Sequence, residues 1–80
     1  MNNYIATFFT QFAAFQSHKK LEKAGIKAKL RPVPRSLSSS CGTCIEYDAE
    51  TPCEEYMASD LEQLLVKKAD GTYELLIENE

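Results

Sequence analysis

Thr51-Pro52-Cys53-Glu54-Glu55-Tyr56-Met57-Ala58-Ser59-Asp60-Leu61-Glu62-Gln63-Leu64-Leu65-Val66-Lys67-Lys68 is the stretch on which the fold turns. Its start carries three helix-entry signals: a Thr able to cap, Pro at the first helical position, and Glu three residues after the cap. Cys53, Met57, Leu61, Leu64, Leu65 and Lys68 recur at helical spacing and predict a helix from Pro52 to about Lys68. A second capping pattern, Ser59-Asp60-Leu61-Glu62, leaves open a break near Ala58. As a helix, the stretch separates a strand at Thr43–Asp48 from another at Thr72–Ile77, with Asp70-Gly71 as its stop. The tail beyond Ile77 is acidic and expected to fray.

Upstream, Asn3–Phe9 is aromatic and β-branched on both faces, which predicts a central strand covered on both sides. Thr10 can cap a helix that runs to Ala24 and stops at Gly25. Ala14, Ser17, His18, Leu21 and Ala24 define its sheet-facing stripe, whereas Phe12 and Phe15 form a second stripe pointing away. Ile26–Arg31 alternates cleanly and predicts a strand near an edge, ended by Pro32. The order β-α-β-β-α-β over 80 residues predicts an α+β fold, a ferredoxin-like sandwich of four antiparallel strands with two helices on one face. One domain spanning 1–80 suffices, because no repeat or linker divides the chain.

A net charge of −3 argues against general nucleic-acid binding, which needs a basic footprint. Positive charge is concentrated between residues 19 and 35, and 46–62 is acidic. That asymmetry suits either a solvated helix face or a surface for an acidic partner protein. No apolar run approaches the ~20 residues that span a bilayer, and the N-terminus lacks the features of a secretory signal. A cytoplasmic location without membrane contact is therefore expected, where the three cysteines would stay reduced.

The chemistry-bearing residues lie in the loop after Arg31: Pro32-Val33-Pro34-Arg35-Ser36-Leu37-Ser38-Ser39-Ser40-Cys41-Gly42-Thr43-Cys44. Serine and glycine at this density imply turns with inward-pointing N–H groups, a nest suited to an anion. A Cys41 thiolate would be stabilised there by Arg35 or Arg31 and by the amides from Ser38 to Gly42, Ser39, Ser40 and Gly42 among them. Cys41 and Cys44 form a Cys-x-x-Cys pair, open to three readings: a disulfide, a soft-metal site, or an attacking and a resolving thiol. The thioredoxin arrangement opens a helix, whereas this pair precedes a strand, which weakens that analogy. A zinc site would need Cys53 and His18 in addition, each placed on a helical face where core residues are commoner than ligands. No self-contained catalytic apparatus is visible, so a stand-alone enzyme is not favoured, and no cofactor and no resident metal is expected.

The short aromatic strand, Leu21-Glu22-Lys23-Ala24-Gly25-Ile26, Pro32-Val33-Pro34-Arg35 and Ser38-Ser39-Ser40-Cys41-Gly42 together resemble the small selenium/sulfur carrier-like domains also designated DUF3343. The resemblance covers about residues 3 to 48. It implies a carrier whose Cys41 holds sulfur or selenium as a persulfide or selenosulfide, and whose partners are the donor and acceptor proteins of that transfer. Cys44 departs from the family pattern and would serve as an optional resolving thiol. The alternative is a non-catalytic binding module that uses the basic 19–35 surface.

Overall fold

A computed structural model describes residues 1–37 and 39–79. The chain runs β1 (Asn2–Phe8), α1 (Gln11–Lys23), β2 (Ala28–Pro32), β3 (Thr43–Ala49), a 3-10 turn (Glu54–Tyr56), β4 (Leu61–Lys67) and β5 (Tyr73–Glu78). The strands form one antiparallel sheet in the order β2-β3-β1-β4-β5. β1 and β2 run parallel with β3 inserted between them, so the crossover through α1 is a split β-α-β unit.

The α+β class stands, and the helix count does not. The stretch expected to form a helix from Pro52 to Lys68 makes a single 3-10 turn and then strand β4. The entry signals at 51–54 are spent on that one turn, which starts from Cys53 in the left-handed region at φ 58° without a side-chain cap. The chain is extended again at Met57, where the second capping pattern had allowed a break. The period decides the rest. Leu61, Leu64 and Leu65 fit a helical stripe, but Leu64 and Leu65 also fit a strand buried on both faces, and both are buried here. What selects the strand is the open edge of β1: paired with β3 on one side only, it would leave a row of central N–H and C=O groups unsatisfied. The expected four-stranded sheet with two helices thus becomes five strands with one α-helix among the described residues. The strand expected at Thr72–Ile77 is the fifth, an edge hairpin partner of β4. The tail is also tied further than expected, because Asn79 bonds Glu62 and Leu61 of β4 through its backbone N–H and its side-chain amide respectively.

α1 forms as its boundaries predict. Thr10 is extended and its hydroxyl oxygen accepts the Ala13 N–H at 3.1 Å. At the other end Ile26 N–H reaches the Leu21 carbonyl and Gly25 N–H the Glu22 carbonyl, with Gly25 at φ +83°, a Schellman stop. Ala13, Ala14, Ser17 and Leu21 bury against the sheet, and Phe12 and Phe15 remain exposed. The core behind them contains Tyr4, Ala6 and Phe8 of β1, Ile45 and Tyr47 of β3, and Leu61 and Leu64 of β4. Tyr4 and Tyr47 stack with ring centroids 5.4 Å apart. Tyr47 donates its hydroxyl to the Pro52 carbonyl, and Ala58 donates its N–H to Ser17 on α1. These two bonds hold the 3-10 turn where a second helix was expected.

Candidate functional site

The loop between β2 and β3 is long because β2 ends at a residue that cannot donate to a ladder, Pro32. Its base is closed by the Val33 N–H on the Gly42 carbonyl at 3.1 Å. Immediately inside, Leu37 N–H bonds the Pro34 carbonyl at 3.0 Å, a turn with Arg35 and Ser36 at its corner. Gly42 takes φ +75°, a conformation that a side chain resists, which turns the chain sharply from Cys41 into β3. The closure presents Cys41, half-buried, against the edge of the core.

The Cys41 sulfur has a fixed donor and a fixed acceptor. It accepts the Thr43 N–H at 3.4 Å, and as a thiol it donates to the Thr43 carbonyl at 3.2 Å. Ser39 Oγ lies 4.0 Å away on a third side. Of the residues expected to stabilise a thiolate, Ser39 therefore sits beside the sulfur. Gly42 shapes the turn. Ser40 directs both its N–H (3.0 Å) and its hydroxyl (3.1 Å) to the Glu62 carboxylate. Arg35 stands exposed at the turn's corner and makes no ion pair among the described residues, and Arg31 is engaged by Glu46 at 2.6 Å. Ser38 lies outside the described residues.

Glu62 is the participant that sequence reasoning missed. The β1–β4 register steps from Thr7↔Gln63 to Phe8↔Leu61, so Glu62 is the extra residue of a bulge and has no partner on β1. Its carboxylate receives three hydrogen bonds from the loop: Ser39 hydroxyl at 3.2 Å, Ser40 N–H and Ser40 hydroxyl. Of the amides expected to form an anion nest, the Ser40 N–H is directed to the Glu62 carboxylate of the neighbouring strand. The only sequence signal was Ser59-x-x-Glu62, which reads equally well as a helix cap.

Cys44 is placed differently from Cys41. Strand alternation turns it to the face away from α1, where it is 1% exposed and donates to the Pro32 carbonyl at 3.7 Å. Burial, aided by the Glu46 carboxylate, pushes its thiol from 9.0 up to about 11. Its proton is held more tightly in the folded than in the unfolded chain, so the stability it contributes is intact below pH 9 and is lost as pH rises towards 11. Urea unfolding should show about 1 kcal/mol lost between pH 9 and 10, and Cys44→Ala should flatten that segment. An unchanged slope in the variant would refute the assignment. Tyr47 shifts the same way, through burial, but acts only above the ordinary phenol range.

The three thiols are free, and Cys53 is buried with its sulfur on the Thr51 carbonyl at 3.3 Å. His18 bridges α1 to β2, one ring nitrogen on the Ala28 carbonyl at 2.9 Å and the other 3.5 Å from Glu22. Among the described residues no three His, Cys, Asp or Glu side chains are grouped to hold a metal ion, so the Cys41, Cys44, Cys53 and His18 set is not brought together.

Fold and site define a small α+β protein that offers one half-buried thiol on a clamped loop. The model of the family described as "Putative Se/S carrier protein-like" matches residues 3–68, and the chain belongs to that family. The match runs past the resembling segment into β4 and includes Glu62. No curated protein and no solved structure matches the chain.

Proposed function

We propose that this protein carries sulfur or selenium on Cys41, as a persulfide or selenosulfide, between a donor and an acceptor protein. The observation that carries the reading is the contrast among the thiols: Cys41 reaches solvent, while Cys44 and Cys53 are buried. Family membership supports it. Loading requires the Cys41 thiolate to attack the terminal sulfur of a donor persulfide, forming one S–S bond as the donor thiolate leaves with the electron pair of the other. Delivery reverses that exchange on the acceptor. Thr43 N–H and the Ser39 hydroxyl are the donors that can face the anion in either state. In this reading Cys44 is a packing residue on β3, since a resolving thiol must meet the loaded sulfur and Cys44 bonds elsewhere. A reducing, cytoplasmic setting keeps the thiol available. No described helix is long and apolar enough to cross a membrane.

The test is to incubate the protein with a cysteine desulfurase and cysteine under anaerobic conditions and record the intact mass. Wild type should gain one sulfur atom, discharged by a thiol reductant, and Cys41→Ser should gain none. A missing adduct, or one that survives the substitution, refutes the reading.

A second reading is favoured by one observation, the outer face of α1. Phe12 and Phe15 are 69% and 48% exposed and share that face with Gln16, Lys19 and Lys23. A binding module built on this face would keep its partner after Cys41→Ser and lose it on reversing Lys19 and Lys23 to Glu.

A further inference from the structure

We infer that Glu62 is a positioning residue for Cys41, and that its carboxylate and the Cys41 sulfur compete for the single Ser39 hydroxyl proton. The inference rests on the Cys41 reading for its meaning. Ser39 Oγ has three neighbours: the Phe8 carbonyl at 3.3 Å, Glu62 Oε1 at 3.2 Å and Cys41 Sγ at 4.0 Å. A hydroxyl has one proton to give. While Cys41 is a thiol, the sulfur donates to the Thr43 carbonyl and Ser39 is free to serve an oxygen acceptor. Once the thiol proton leaves to solvent, the Thr43 carbonyl faces an anion at 3.2 Å, and among the described residues the side-chain donor able to swing towards it is Ser39. That rotation withdraws the hydroxyl from Glu62, which keeps both bonds from Ser40.

Glu62 therefore opposes formation of the thiolate in two ways of the same sign. It holds the Ser39 proton, and it places a negative charge one hydroxyl away from the sulfur. The Cys44 thiol of β3 is coupled to Cys41 and stays neutral up to about pH 11. Glu62 sits at the bulge of β4, the kind of irregularity that re-aims a side chain, and its carboxylate meets the loop serines there. A loop so latched keeps the Ser39 hydroxyl on Glu62 and away from the sulfur until something draws Glu62 off or neutralises it. A lysine or arginine of a docking donor protein has the chemistry to do so.

The experiment measures the rate at which iodoacetamide alkylates Cys41 across the pH range, read from the loop peptide by mass spectrometry. No sulfur donor is needed, so its failure is separate from failure of the carrier reading. Glu62→Gln should move the midpoint of the pH–rate curve down by on the order of 0.5–1 pH unit. Ser39→Ala should move it up by a similar amount, since the thiolate loses its swinging donor. A loop merely loosened would shift Glu62→Gln and Ser39→Ala in the same direction. That result, or a Ser39→Ala curve that fails to move up, overturns the inference. The Ser39→Ala arm stands alone if Glu62→Gln does not fold.

Discussion

Native alkylation at pH 7 should label Cys41 and spare Cys44, whose own thiolate fraction burial cuts about 100-fold. The factor follows from ionisation before accessibility is counted. The thiolate is the nucleophile, and moving a thiol from 9.0 to about 11 lowers its thiolate fraction at neutral pH about 100-fold. Burial adds to this, because Cys44 at 1% exposure reacts only when β3 opens from its neighbours β1 and β2. Cys53, at 7% and turned inward on the Thr51 carbonyl, should also be slow. The measurement is peptide-resolved mass spectrometry after timed quenching. Comparable labelling of Cys41 and Cys44 would show that the Cys-x-x-Cys pair behaves as a unit, and the resolving role for Cys44 would return.

Phe8→Ala should leave little folded protein at 37 °C. Phe8 is fully buried at the end of the central strand, in the cluster that joins α1 to the sheet. Truncating a buried Phe costs about 3–5 kcal/mol. Folded domains hold roughly 0.05–0.15 kcal/mol per residue, which for this length is about 4–12 kcal/mol in total. The loss is therefore a large share of the whole. It also reaches the site, because the Phe8 carbonyl is one of the anchors of Ser39 and the bulge that holds Glu62 begins at its pairing with Leu61. Phe8→Leu should retain most of the stability by keeping the cavity largely filled. Urea unfolding followed by circular dichroism separates the two, and an alanine variant as stable as wild type would contradict the core described above.

Much of this was legible in the chain. β1 declared itself by being apolar on both faces, α1 by Thr10 and Gly25, and β2 by an alternation that Pro32 cut short. The loop announced Cys41 through prolines that stiffen it and a glycine that turns it. The second half was not legible, for a physical reason. Leu61, Leu64 and Leu65 satisfy a period of 3.6 and the pattern of a central strand alike, and the choice was made by the unpaired edge of β1, more than fifty residues away in sequence. Glu62 was hidden by the same ambiguity. It meets Ser39 and Ser40 from a one-residue bulge that no local pattern encodes. Cys44 read as a partner of Cys41 by spacing alone, whereas strand alternation turns its side chain to the other face of the sheet.

The central claim is that the transferred atom sits on Cys41. It is tested most directly by loading the wild-type protein from a cysteine desulfurase, blocking the persulfide, digesting without reductant, and locating the added sulfur by fragment masses. The account predicts that the extra sulfur is found on the peptide containing Cys41 and, within it, on Cys41 itself. An extra sulfur on Cys44 or Cys53, or a Cys41–Cys44 disulfide in its place, would contradict it.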